Sequence, residues 1–529
     1  MLPVSQAEDK VLIVFIEKPN AKYSPFKCDE AHPECRNCII YGRPCPGYRP
    51  DAVFRNETKK VERLVKNSAN INGHSNTDSQ DSSSTSDSSI SAVSHRQRAS
   101  SHGKHHGKAT LTLYSPADSS WEERALCYFF DQYTIKADSE DGGHLEYLPP
   151  LYARELGRQS GESPSSCLRW AVEATALMTL ANARNAPPLM NKARQGYGRA
   201  LRGLQEALAS PANAVKDETF ASVVLLSLYE DISGERNGLF SSHTAGFEFL
   251  TNLRGNTLMD HPRGRDMLTF AYAHTYVEIL ALGDKPRCDI DLVLGMLDIN
   301  KPTERLILSV SKLCQLFLHM SSSPNYPDQA TVESWITAGR ECDIELSQWT
   351  QTLPDRWLPL VVYSPHGEPL LTYKRISNVV VWNYYRAVRV MVQQLLLGLN
   401  CTLTSIKAAN KQFSNHQNTS SSEAESESVL DELALRAIIR EMTADVCRSI
   451  PFALAEVDSL GRPNKSDSPW QMRAAQGYGL LWPLWYILSS GMPTPAQAEL
   501  IRTVLSRIGS TLGIKLALVL AREAEQRLG

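Results

Sequence analysis

From about Leu113 onward, apolar side chains return every three or four positions, so the sequence predicts helix after helix with scarcely any strand alternation. "SCLRWAVEATALMTLANAR", Ser166 to Arg184, is rich in Ala and Leu and stops before Pro187 and Pro188, which cannot continue a helix. Beyond those prolines Ala193, Tyr197, Ala200, Leu201, Leu204 and Leu208 form one apolar stripe. Two helices with so short a proline turn between them predict an antiparallel pair. The helical pattern continues in "DETFASVVLLSLYEDI", with Asp217 as its cap, in "WNYYRAVRVMVQQLLLGL" and in Ala496 to Leu520. The expected fold class is mainly α: one large all-helical domain over 113–529, interrupted by a polar surface insert at about 410–428. No fixed-period repeat marks a solenoid.

The pattern is different upstream. Asn67 to Ser101 is dominated by Ser, Asn, Asp and Gly, as in "TDSQDSSSTSDSSISAVS", and lacks the apolar residues that would offset the entropy of ordering. A disordered linker is expected over 51–112. Its end carries Arg96, Arg98, Lys104 and Lys108 among histidines, which reads as a solvated basic tract, with nuclear import or phosphate contact as the functional alternative. His102, His105 and His106 have nothing nearby to enforce a metal geometry. Near the start, "VLIVFI", Val11 to Ile16, is too short for a signal peptide and follows acidic Glu8 and Asp9. The longest later apolar run, Leu480 to Leu488, is well short of the roughly 20 residues of a membrane span. A soluble, intracellular protein without a membrane partner is the expectation.

Composition adds little to this picture. The 529 residues are 42% hydrophobic and 21% charged, enough for a large core, and the net charge of -3 means that any nucleic-acid contact must be local. Cysteine usage is more telling. Of 11 cysteines, Cys28, Cys35, Cys38 and Cys45 cluster, while the other seven stand singly in apolar segments and read as buried thiols. The cluster runs C-x6-C-x2-C-x6-C through Pro33, Pro44 and Pro46, so neither helix nor sheet supplies a core for it. Four thiolates close to tetrahedral geometry around zinc do, contributing on the order of 10 to 16 kcal/mol of folding free energy at neutral pH.

The stretch "KCDEAHPECRNCIIYGRPCPGY" resembles the second half of the fungal binuclear zinc cluster, a six-cysteine DNA-binding module. By that resemblance Cys28, Cys35, Cys38 and Cys45 occupy the third to sixth ligand places, with Cys35 bridging. The first two cysteines have no counterpart, because residues 1–26 contain none. The family holds two zinc ions; this chain as written is expected to hold at most one, on all four thiolates. Family members read a CG-rich triplet of DNA with a basic helix between the second and third cysteines. Here only Lys18, Lys22 and Lys27 stand near that place, and Pro19 and Pro25 would break such a helix. Lys27 matches the last basic residue of the family run. Arg36 and Arg43 are candidates for phosphate contact, with solvated surface as the equal alternative. Two explanations stay open: residues 1–26 are foreign to the natural product, which is the expectation, or DNA readout has been lost. "DEAH", Asp29 to His32, is an accidental match to a helicase box, since no phosphate-binding G-x-x-x-x-G-K-[ST] accompanies it. G-x-S-x-G and H-E-x-x-H are absent too, so no enzyme is expected.

The helical part resembles the regulatory domain that follows the zinc cluster in many fungal transcription factors. "YGRALRGLQEALASP", "DETFASVVLLSLYEDI" and "HTAGFEFLTNLRG" carry the likeness, with Tyr229, Glu230, His243, Gly246, Arg254 and Gly255 in its characteristic places. "ELSQWTQTLPDRWLP" and "VWNYYRAV" resemble later parts of that domain. Read as residues alone, Tyr229 and Trp382 are core aromatics and Glu230 pairs with Arg254 or His243. The resemblance implies a nuclear regulator of RNA polymerase II genes, with DNA and the transcription machinery as partners. Control of a metabolic gene cluster is a common task of the family. A homodimer is also common in it, but "VFRNETKKVERLVKNS" offers too few heptads for a coiled coil. Metal analysis of the purified chain is expected to find one zinc; two per chain would refute the mononuclear reading.

Overall fold

The computed structural model describes residues 119–134, 145–157, 167–236, 242–255, 257, 263–282, 294–295, 297–323, 326–413, 421–464 and 472–528. The cysteine cluster, the linker and the candidate DNA contacts Lys27, Arg36 and Arg43 lie outside them. The described residues are mainly α, as expected.

The first half is built around a helix that is buried on every face. Helices α1 (Trp121–Tyr133), α2 (Leu148–Gly157), α3 (Cys167–Arg184), α4 (Pro187–Leu208), the single turn α5 (Pro211–Ala214) and α6 (Asp217–Ser233) follow one another, then α7 (Thr244–Arg254) and α8 (Gly264–Leu282). Ser120 starts α1 with a reciprocal capping box to Glu123, and Pro187 opens α4, where its missing N–H costs nothing. Along α4 the small residues Ala193, Gly196, Ala200 and Gly203 are buried, and a Cβ at Gly196 would meet Ala174 while one at Gly203 would meet Cys167. The contact sites ascend in α4 as they descend in α3, so the pair is antiparallel, as the proline turn implied. Almost every side chain of α6 is buried, and it packs on α3, α4, α7, α8 and the C-terminal helix Leu516–Leu528.

The second half comprises α9 (Pro302–Ser322), α10 (Gln329–Gln351), the strands β1 (Leu360–Tyr363) and β2 (Pro369–Thr372), and the long helices α11 (Ile376–Phe413) and α12 (Ser421–Ala453). It ends with α13 (Ala474–Ser489), α14 (Pro495–Thr511) and α15 (Leu516–Leu528). Trp349, Trp382 and Tyr385 stack where α10 crosses α11, with centroids 5.1 to 5.5 Å apart. Both indoles of this stack donate to a carbonyl: Trp349 Nε1 to Pro302 O and Trp382 Nε1 to Trp357 O, both at 2.8 Å.

The C-terminal helices return to the first half and close one continuous core. Asn182 of α3 donates to Ile232 O at 2.7 Å and to Gly513 O at 2.8 Å, and Lys515 N donates to Ile232 O at 3.1 Å. Ala474 N donates to the buried Gln132 of α1 at 3.0 Å.

Several expectations need correction. Asp217 is not the cap of α6: Lys216 holds that place without a side-chain bond, and Asp217 is the first helical residue. The last helical stretch is two helices, because Gly513 takes a left-handed φ of 74° between α14 and α15. The polar insert is narrower than its composition suggested, since α11 runs to Phe413 and α12 begins at Ser421. The antiparallel β1–β2 hairpin was not anticipated. Among the described thiols Cys167, Cys314 and Cys342 are buried and Cys447 is partly so, but Cys127 and Cys401 are exposed. Leu480 to Leu488 lies within α13, largely buried, and no described helix is long and apolar enough to cross a membrane.

Two glycines separate backbone conformation from space. Gly367 (φ 81°) sits in the hairpin turn with nothing near its would-be Cβ, whereas one at Gly513 would stand 2.8 Å from Asn182 Cβ. Gly367→Ala is expected to cost about 1–2 kcal/mol, the left-handed penalty alone. Gly513→Ala should cost at least about 3 kcal/mol, because the clash adds to the strain. Urea unfolding of the two variants measures both.

Candidate functional site

The most elaborate polar chemistry among the described residues gathers at the C-terminal end of α6. Glu230 and Asp231 lie in its last turn, where the helix dipole disfavours negative charge, and both are buried. Each therefore needs partners, and each has them.

Glu230 accepts from Ser242 N at 3.0 Å through Oε2 and from Ser242 Oγ at 2.5 Å through Oε1. Tyr197 Oη of α4 donates to Glu230 Oε1 at 3.3 Å and lies 3.0 Å from His243 Nε2. The ring of Tyr197 stacks on Tyr229 at 4.3 Å. Glu230 and His243 thus meet, 3.6 Å apart, while Arg254 belongs elsewhere. Arg254 pairs with Asp217 at 3.3 Å and lies over the Phe220 ring at 4.9 Å; its burial lowers the guanidinium pKa. Gly255, with φ 50°, ends α7 directly after it, and Gly246 N closes the turn onto His243 O at 2.8 Å.

Asp231 faces the other way. Its Oδ1 pairs with Arg236 at 2.6 Å, with both side chains almost completely buried, and its Oδ2 accepts from Tyr478 Oη of α13 at 2.6 Å. Burial, with the Asp231 carboxylate beside it, pushes the Tyr478 phenol well above its ordinary pKa, and burial does the same to Tyr133. The two adjacent acids hold both ends of the 234–243 connection, and Asp231 also ties the first half of the domain to α13.

A further buried cation, in the second half, was missed in the sequence. Arg386 of α11 donates to Tyr373 Oη at 2.7 Å and to Asn383 Oδ1 at 3.1 Å, lies 3.7 Å from Asp445 of α12 and stacks on Trp382 at 5.1 Å. An arginine inside the aromatic-rich "VWNYYRAV" was the available signal. Asp231 and Arg236 flank the noticed Tyr-Glu pair, but only the fold brings Tyr478 to them.

These networks orient helices. They hold no nucleophile beside a base; an apolar cavity of about 30 Å³ between α8, α11 and α13 is lined by Ala281, Tyr384, Met391 and Trp482, and a wider, more polar recess of about 400 Å³ lies beside Arg305, Lys312 and Glu345. Among the described residues no group of three or more His, Cys, Asp or Glu side chains is placed to hold a metal. The predicted ligands Cys28, Cys35, Cys38 and Cys45 lie outside those residues; as a donor set, four thiolates suit tetrahedral zinc.

Comparison with known proteins bears on most of the chain. It is similar to a fungal transcription factor. That protein, transcription factor dbaG of Emericella nidulans, is 24% identical over 430 residues, 77% of this chain and 92% of its own length. An uncharacterized protein of the same fungus is 35% identical over 106 residues, which is 20% of this chain and 23% of that protein. The chain thus covers less than a quarter of the uncharacterized relative and nearly all of the transcription factor. No family model matches the chain. No solved structure matches it either.

Asp231→Asn leaves Arg236 buried without its counter-charge. A loss of about 3–5 kcal/mol is expected by chemical denaturation.

Proposed function

We propose that this protein is a transcription regulator: a zinc-stabilised amino-terminal module on a large helical regulatory domain, acting in the nucleus on RNA polymerase II genes. The observation that carries this reading is the similarity to transcription factor dbaG, which runs over most of both chains. It fits the helical domain, in which buried carboxylates and cations lock helices together and no reactive constellation is laid out among the described residues. An enzymatic role has no such support.

In the same reading Cys28, Cys35, Cys38 and Cys45 hold one zinc ion, which supplies the folding energy that a segment rich in proline and poor in apolar side chains lacks. Lys27, Arg36 and Arg43 contact phosphates of DNA, with CG-rich triplets as targets by family likeness. The transcription machinery and a second copy of the chain complete the set of partners. Control of a metabolic gene cluster is the finer task this reading assigns.

A second reading has a specific observation behind it. Residues 1–26 supply neither the first two cysteines nor a basic helix, so the regulator would act through partners and not by reading DNA. Mobility shifts decide between the two. If DNA readout persists, the zinc-loaded chain binds a CG-triplet duplex in preference to a scrambled one, and a chelator abolishes the preference. Loss of readout predicts no preference until both missing cysteines and the basic run are restored upstream of Cys28. Specific binding that survives chelation would overturn the zinc-module reading itself.

A further inference from the structure

The seam between α9 and α10 carries a recess to which the regulator reading gives no task. The two helices run antiparallel. Arg305 of α9 meets the end of α10, where its Nη2 donates to Thr352 O at 3.4 Å, and two turns further along Lys312 pairs with Glu345. Positions rise by seven on α9 as they fall by seven on α10, so the two contacts belong to one register. Beside this seam lies the recess of about 400 Å³, lined by Leu294, Arg305, Leu308, Ser309, Lys312 and Glu345 among others. Arg305, Leu308, Ser309 and Lys312 recur at steps of three and four, so its floor is one face of α9, about 10 Å long between the two cations. A recess of this volume is large enough for a small organic molecule.

Its two cations are not equivalent. Lys312 is matched by Glu345, and both reach solvent, with side chains 58% and 33% exposed. Arg305 makes no ion pair among the described residues. The bond to Thr352 O is long, and the Arg305 Nε is buried without a hydrogen-bond partner. Its neighbour Glu304 is committed to Arg265, to Lys301 and to Asp298 N. The carbonyl end of α10 offers only the partial negative charge of a helix terminus, while a buried donor left unpaired costs about 1–3 kcal/mol. Ser309 and Ser311 spend their protons on Arg305 O and Leu308 O, at 3.3 and 2.6 Å, so they face a ligand only as acceptors. Leu294 and Leu308 supply apolar wall. One unmatched guanidinium suits the planar, singly charged carboxylate. A phosphate, with a charge of about −1.5 to −2, calls for a second cation, and Lys312 is already taken.

We propose that the recess on the α9–α10 seam binds a small organic carboxylate, its carboxyl group on Arg305 and its apolar body against Leu294 and Leu308. Such a ligand completes the hydrogen bonding of Arg305 and, by binding the folded seam alone, stabilises the packing of α9 on α10. Its meaning as an effector of the regulatory domain rests on the regulator reading; the binding itself does not.

Equilibrium binding to the full chain, without DNA, tests this, so its failure and a failure of the regulator reading are told apart. The probes are 4-phenylbutyrate, octanoate and benzoate, followed by saturation-transfer NMR, each with the corresponding primary alcohol as its uncharged control. At least one carboxylate should bind with a Kd below about 1 mM and at least tenfold more tightly than its alcohol. Arg305→Gln should weaken that binding at least tenfold. The double variant Lys312→Gln/Glu345→Gln, which removes a self-matched pair, should change it less than threefold. Leu308→Trp, which leaves Arg305 in place and fills the recess, should abolish it; this variant keeps the test open if Arg305→Gln loosens the end of α10, and urea unfolding shows which variants are folded. The proposal is overturned if none of the three carboxylates binds at about 10 mM, if acid and alcohol bind alike, or if a folded Arg305→Gln or Leu308→Trp chain binds as the parent does.

Discussion

Everything in the helical domain answers to one constraint: α6 is buried on all its faces, polar groups included, and has to be enclosed on every side. A helix of this kind cannot lie on a surface. Among the described residues α3, α4, α7, α8 and α15 surround it, and the last of these comes from the far end of the chain. This is why the domain does not divide into two independent bundles, and why the carbonyl of Ile232, at the end of α6, receives hydrogen bonds from both Asn182 and Lys515. Small residues make the enclosure tight. The Gly196 and Gly203 contacts let α4 approach α3 backbone to backbone, so that α3, itself mostly buried, fits between α4 and α6.

Enclosure sets the terms for the polar groups at the end of that helix. Two adjacent acids in a last turn are unfavourable both with the helix dipole and with each other, and burial raises the cost. They persist because Glu230 gathers Ser242 and Tyr197, and Asp231 gathers Arg236 and Tyr478. The arrangement specifies geometry more than it adds stability: a buried ion pair is weak evidence for net stabilisation but a strong determinant of which helices can meet. Arg386 plays the same part in the second half, where its guanidinium joins α11 to the end of β2 and faces Asp445 of α12.

The two ends of the protein meet the folding problem by different means. The helical domain has apolar area to bury; the cysteine segment does not, and depends on metal–thiolate bonds in the proposed reading. Such a division suits a regulator, since the module that would touch DNA and the domain that would govern it can be altered separately. The similarity to transcription factor dbaG spans 77% of this chain and 92% of that protein, so it does not rest on one short motif.

The helical class, the antiparallel α3–α4 pair and the core positions of Tyr229 and Trp382 were legible in the sequence, because a period of three to four residues and a proline turn are local properties. The hairpin was not: Leu360–Tyr363 is apolar on both faces and only four residues long, too short to show a period. Nor was the break at Gly513, since an isolated glycine in a helical pattern announces itself only when its φ and its neighbour Asn182 are known. Glu230 could be assigned to His243 or to Arg254 on residue type alone; the choice of His243, and the pairing of Arg254 with Asp217, depends on which helices cross. The sequence by itself determined the helical class and the pairing of α3 with α4, which rest on local periodicity and a proline turn. Tertiary structure alone decided which buried charges meet, because residues as far apart as Asp231 and Tyr478 become neighbours only when the last helices close over α6.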